Sequence, residues 1–157
     1  MGFVKLNVDA SFDHDQLRGT TGVVIRDDKG NFIVGGNWKI ECCVDALTAE
    51  ALAHRFGLLL AQKEGCNRLI INFDNMEVIN TMKNRGHSVG AAAASFEDCF
   101  FMACDFSITS FEHCNREANK VAHDVARIAK SMARDWIEEP MKNTVSLLID
   151  DVTIICT

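Results

Sequence analysis

Val4, Leu6 and Val8 alternate with Phe3, Lys5 and Asn7, so the chain opens on a strand with one strongly apolar face, closed by Asp9. A polar loop from Ser11 to Gly19 follows, holding Asp13, His14, Asp15 and Arg18. Gly22–Arg26 and Asn31–Gly36 read as two further strands, and the turn residues Asp27, Asp28, Lys29 and Gly30 join them in a hairpin. The apolar period then changes. Leu47, Ala51, Leu52, Phe56, Leu59 and Leu60 fall on a helical stripe, with Asp45 as N-cap and an end near Gly65. Arg68–Asp74 is a nearly unbroken apolar run, which marks a strand covered on both faces and therefore placed mid-sheet.

The second half alternates helix with strand. Asn75 to Gly86 is a short helix with Val78, Ile79 and Met82 inward; Val89 to about Cys104 is a second, with Phe96, Phe100 and Phe101 as core. Ser107–Cys114 alternates around Ile108 and Phe111 as a fifth strand. The last helix runs from about Glu117 to Arg134, because Ala118, Val121, Ala122, Val125, Ile128, Ala129 and Met132 fall at i, i+3, i+4, i+7 spacing. A tail from Trp136 carries Pro140 and two short apolar runs, and reads equally as an added strand pair or as a segment packed on the core.

Three strands followed by helix, strand, helices, strand and helix imply an α/β sandwich around a mixed five-stranded sheet. Right-handed crossovers place the first and fourth strands side by side and parallel. Asp9 and Asp74 then stand at the same end of neighbouring strands, about 5 Å apart. Glu50, facing the sheet from its helix, completes a carboxylate cluster suited to a hard divalent cation.

Composition narrows the class. A chain of 157 residues, 48% apolar with a single proline, is expected to form one domain, with a core at about 3–134 and a tail at 135–157. Lys and Arg total 16 against 22 Asp and Glu, a net charge of −6 that sits poorly with a nucleic-acid binder relying on phosphate neutralisation. Seven cysteines, an odd number without a CxxC pair, read as reduced thiols of an intracellular protein, nuclear or cytoplasmic. No apolar run approaches membrane-spanning length, so no membrane partner is expected. His14, His54 and His87 read as surface residues.

Four segments carry a resemblance. Val8-Asp9-Ala10-Ser11, Thr48-Ala49-Glu50-Ala51-Leu52-Ala53, Phe73-Asp74-Asn75 and Arg116-Glu117-Ala118-Asn119-Lys120-Val121-Ala122-His123 resemble type 1 ribonuclease H in order and spacing. They look most like the reverse-transcriptase-related ribonuclease H domains of plants, over roughly residues 4 to 140, where Trp136 and Pro140 fit the plant-type tail. The resemblance implies a ribonuclease H-like three-layer sandwich with sheet order 3-2-1-4-5 and helices on both faces. It also implies hydrolysis of the RNA strand of RNA/DNA hybrids with two Mg²⁺ or Mn²⁺ ions. By the family's pattern Asp9 bridges the ions, Glu50 and Asp74 fill one site, and His113 matches a histidine that shuttles a proton or assists product release.

The chain departs from that pattern where the fourth carboxylate belongs: the position is His123. Asp124 is one residue away, which swings its side chain about 100° around the helix. Imidazole is a softer ligand than carboxylate, so manganese is expected to serve better than magnesium. Acidic Phe12-Asp13-His14-Asp15-Gln16 replaces a Gly-rich turn, Cys42-Cys43-Val44-Asp45 replaces an Asn-rich entry, and Lys39, Arg116, Asn119 and Lys120 remain as candidate nucleic-acid contacts. The alternative is a domesticated retroelement domain that has lost turnover and serves as a nucleic-acid- or protein-binding module. Acidic charge and the His123 exchange favour that alternative, whereas retention of three mutually repelling acids favours the enzyme.

Overall fold

In the computed structural model, which describes residues 2–131, the opening alternation forms β1 (Val4–Asp13), β2 (Arg18–Arg26) and β3 (Phe32–Ile40). There follow α1 (Ala46–Lys63), β4 (Arg68–Phe73), α2 (Met76–Lys83), α3 (Ala93–Ala103), β5 (Ile108–His113) and α4 (Lys120–Ser131). The sheet order is β3-β2-β1-β4-β5, antiparallel across the first three strands and parallel from β1 to β4 to β5. This is the ribonuclease H-like sandwich that the four segments imply.

β1 is longer than its apolar alternation suggests. Phe12 pairs with Gly19 and Asp13 with Arg18, so most of the expected polar loop is strand and Asp9, opposite Gly22, lies within a long hairpin. What ends near Asp9 is the parallel ladder with β4, whose last pair is Asn7 with Asn72. The second hairpin is as expected: Gly30 takes φ +86° and Asp27 Oδ1 accepts from the Lys29 and Asn31 amides.

α1 starts where a cap is supplied, with Asp45 accepting from the Thr48 amide at 2.7 Å, and it stops before Gly65 at φ +70°. α3 starts at Ala93, later than the Ala- and Phe-rich run suggests, because Gly90 sits at φ +95°. Val89 therefore lies outside the helix, 91% exposed. Phe96 is core, whereas Phe101 is 62% exposed on the outer side of the same helix. The stretch before α4 is held by Asn115, whose Oδ1 accepts from the Ala118 amide at 2.7 Å, and the helix begins at Lys120 rather than Glu117. Met132, Arg134 and the tail from Trp136 lie outside the described residues.

α1 packs on the sheet face that carries Leu6 and Val8. α4 packs on the opposite face, that of Asn7, Asp9 and Gly22. Leu6, Val8, Val23, Ile25, Leu69, Ile71, Phe73 and Phe96 are essentially inaccessible and form the main core. Among the described residues no helix is long and apolar enough to cross a membrane, and the six described cysteines are free thiols.

Candidate metal centre

Three elements bring three acids to one end of the sheet. β1 carries Asp9 just past the end of its ladder with β4. Asp74 follows the last residue of β4 and precedes Asn75, which caps α2 by accepting from the Glu77 amide at 2.9 Å. Glu50 hangs from the second turn of α1. One carboxylate oxygen from each lies within 4.8 Å of the other two.

The electrostatics of this arrangement are unfavourable without a counter-charge. Burial raises the Asp9 carboxyl above its ordinary value and the Asp74 charge raises it further, while the hydrogen bond from His123 pulls it back. Burial, then the charges of Asp9 and Asp74, push Glu50 well above the usual carboxylate range. Burial and the same two acids push the nearby Cys114 thiol up to about 11. A dication set among the oxygens removes the repulsion that these shifts record, so the donor set fits a hard divalent ion.

The acids line an open cleft of about 520 Å³ together with Asn75, Met76, Arg116, Lys120 and His123. Arg116 and Lys120 thus flank the carboxylates. His123, in the first turn of α4, is hydrogen-bonded through Nδ1 to Asp9 Oδ2 at 2.7 Å. It joins the site through Asp9, and is not one of the three groups that converge within 4.8 Å.

The remaining residues singled out in the sequence fall elsewhere. His113 ends β5, is exposed, and pairs in register with Phe73, one strand across from Asp74. Lys39 lies outside the cleft, in a smaller pocket of about 120 Å³ with Arg18 and Glu41. Asn119 is 1% exposed and its amide is used inside the protein, so it offers nothing to a ligand. His14 and His87 are exposed as expected.

His54 corrects the surface reading. It is fully buried one turn after Glu50, its ring edge-on to Phe73 at 4.9 Å and Phe111 at 5.8 Å. Among the described residues neither ring nitrogen has a hydrogen-bond partner, and burial lowers its pKa to about 3. The available signal was its place on the inward stripe, between Ala51 and Leu58.

A family model described as reverse transcriptase-like matches residues 7–129. No curated protein sequence matches the chain. Among solved structures it is similar to ribonuclease H1 of the halophilic archaeon Halobacterium salinarum NRC-1, with 18% identity and TM-score 0.76 over 83% of this chain and 98% of that one. The N-terminal ribonuclease H domain of a Mycobacterium tuberculosis protein gives 19% identity and TM-score 0.75 over 83% and 95%. A ribonuclease H1 named LC11, solved in complex with an RNA/DNA hybrid, gives 19% identity and TM-score 0.73 over 80% and 95%. At these identities the likeness establishes the fold.

Proposed function

The chain belongs to the reverse transcriptase-like family, and from that premise we propose that it is a metal-dependent endonuclease hydrolysing the RNA strand of RNA/DNA hybrids. The observation that carries this reading is the convergence of Asp9, Glu50 and Asp74 within 4.8 Å at the floor of an open cleft. The hybrid bound to a structural neighbour supports the choice of substrate.

In this reading Asp9, Glu50 and Asp74 hold the divalent ions. When bound, those ions activate water and stabilise the leaving oxygen of a phosphodiester. The carboxylates also repel a phosphate backbone, so Arg116 and Lys120 on the cleft wall steer it into register. His123 holds Asp9 Oδ2 and sets the direction in which that carboxylate presents its other lone pairs. With Nδ1 engaged on Asp9, Nε2 is the nitrogen left to ligate an ion, and an imidazole ligand there, in place of a fourth carboxylate, makes manganese the better activator.

The experiment is direct. End-labelled RNA/DNA hybrid, RNA duplex and single strands are incubated with the chain in Mg²⁺ and in Mn²⁺, beside Asp74→Asn. Cleavage of the hybrid alone, at least about 100-fold slower in the variant, is the expected result. The net charge of −6 favours a second reading, a binding module without turnover. Retention of hybrid in a gel shift with no cleavage in either metal selects that module.

A further inference from the structure

α4 meets the sheet beside the carboxylates through amides. Asn119 donates from Nδ2 to the Val8 carbonyl at 2.9 Å and accepts at Oδ1 from Asn7 Nδ2 at 3.1 Å. Both asparagines are buried, at 1% and 7% exposure. Val8 is the first residue past the β1–β4 ladder, and it directly precedes Asp9. One helical turn beyond Asn119, His123 Nδ1 meets Asp9 Oδ2 at 2.7 Å, and the His123 amide donates to the Asn119 carbonyl at 3.0 Å. Asn119, immediately before α4, and His123 in its first turn thus grip three consecutive residues of β1, and the third of them is a proposed metal ligand.

α4 has other anchors. Thr20 Oγ1 donates to the Ala126 carbonyl at 2.7 Å and Asn37 Nδ2 to the Val125 carbonyl at 3.4 Å. These hold the helix farther along and against different strands. None of them touches β1 at Asp9. At the first turn of α4, Gly22 of β2 admits the Ala122 carbonyl, and Asn119 supplies the hydrogen bonds to β1.

We propose that Asn119, backed by Asn7, is a positioning residue that fixes the register of α4 on β1 so that His123 reaches the Asp9 carboxylate and orients it. The position needs a donor and an acceptor on one short side chain, which an amide supplies. Leucine, of similar volume, supplies neither and leaves the Val8 carbonyl and the Asn7 amide buried without partners. Each residue along a helix advances about 1.5 Å, so a slip of even part of a residue breaks a 2.7 Å contact. The consequence for turnover rests on the nuclease reading; the geometric claim does not.

The test compares Asn119→Leu with Thr20→Val, which removes a buried bond to the same helix away from the site, and with Asn7→Leu, which keeps the Asn119–Val8 bond. Four quantities are read on the full chain: melting temperature, the ¹⁵N signature of the His123 Nδ1 hydrogen bond, Mn²⁺ affinity by calorimetry, and kcat and KM on hybrid. All three variants are expected to melt earlier. Asn119→Leu alone is expected to lose the Nδ1 signature, with kcat falling about 10- to 100-fold at unchanged KM. Asn7→Leu, expected to weaken the same signature partially, decides the matter if Asn119→Leu does not fold. An intact signature in Asn119→Leu and Asn7→Leu, or an equal loss in Thr20→Val, overturns the proposal. A wild-type chain that cleaves nothing refutes the nuclease reading, while the Nδ1 signature still decides this one.

Discussion

Two helices deliver groups to the carboxylate cluster from opposite faces of the sheet, and different physics holds each in place. α1 brings Glu50 on a seam of small side chains, with Ala49, Ala51, Ala53, Gly57 and Ala61 all buried. A Cβ at Gly57 meets Val8 Cγ1 at 2.9 Å and Leu6 Cδ1 at 3.1 Å, the ends of side chains that can turn. α4 brings His123 on a backbone contact: a Cβ at Gly22 meets the Ala122 carbonyl at 2.1 Å and the Ala126 amide nitrogen at 2.6 Å. Polar groups divide the same way. Beside α4 the buried Asn7, Thr20, Asn37 and Asn119 have hydrogen-bond partners, whereas His54 on α1 has none among the described residues. An apolar seam can yield when a neighbour changes; a backbone contact bolted by side-chain amides cannot.

The largest effect that sharpens this contrast is expected at His54. Its folded pKa of about 3 lies below the unfolded value of 6.5, so the native state excludes a proton that the unfolded chain takes up. Stability attributable to His54 is therefore whole above about pH 7, falls as pH drops from 6.5 towards 3, and is level below that. The loss over that window is on the order of 4–5 kcal/mol. Asp9 and Glu50, raised in the fold, work in the opposite sense and cost stability as pH rises through their folded values. Denaturant midpoints of His54→Leu and wild type across that window give a difference curve that isolates the histidine. A difference independent of pH means that His54 finds a polar partner in solution, and the contrast between the two helices fails.

A pair of glycine substitutions tests the seam itself. Gly22→Ala drives a methyl group into the backbone of α4 and is expected to cost about 3 kcal/mol or more, against about 1 kcal/mol for Gly57→Ala, where Leu6 and Val8 can rotate aside. Urea unfolding of both variants reads the difference. Equal losses mean that the two faces yield alike.

What the sequence disclosed and what it hid follow the same line. Strand alternation, the Asp45 cap and the glycines at 30 and 65 are local signals, and they yielded the element order, whereas the full sheet order came with the family resemblance. Asp9, Glu50 and Asp74 were legible because each sits at a recognisable point of a clear element. The continuation of β1 past Asp9 was not, since Ser11 and Asp13 are polar and only pairing with Thr20 and Arg18 makes them strand. Phe101 was misplaced because an Ala- and Phe-rich helix hides which side faces out. Asn119 was read as a surface contact because its partner Asn7 is 112 residues away, and no local pattern foretells a buried amide pair.

The smallest expected effect concerns chemistry rather than place. In His123→Asp the helix keeps its position, because Asn119 and Gly22 are unchanged, so any altered behaviour reports the group presented to Asp9. A fourth carboxylate adds charge for a hard cation and removes the hydrogen bond that now pulls the Asp9 carboxyl down. The metal-free variant is therefore expected to melt earlier, and Mg²⁺ to raise its melting temperature more than that of the wild type. Hydrolysis in Mg²⁺ should rise several-fold, about 1 kcal/mol in the barrier, with little change in Mn²⁺. Rates in both metals, compared with the metal-induced melting shifts, separate ligand chemistry from helix placement. A variant no faster in Mg²⁺ but still stabilised by it puts the deficit in substrate contacts such as the acidic Asp13–Asp15 turn; one that Mg²⁺ does not stabilise shows that residue 123 stays outside the coordination sphere, whichever side chain α4 presents there.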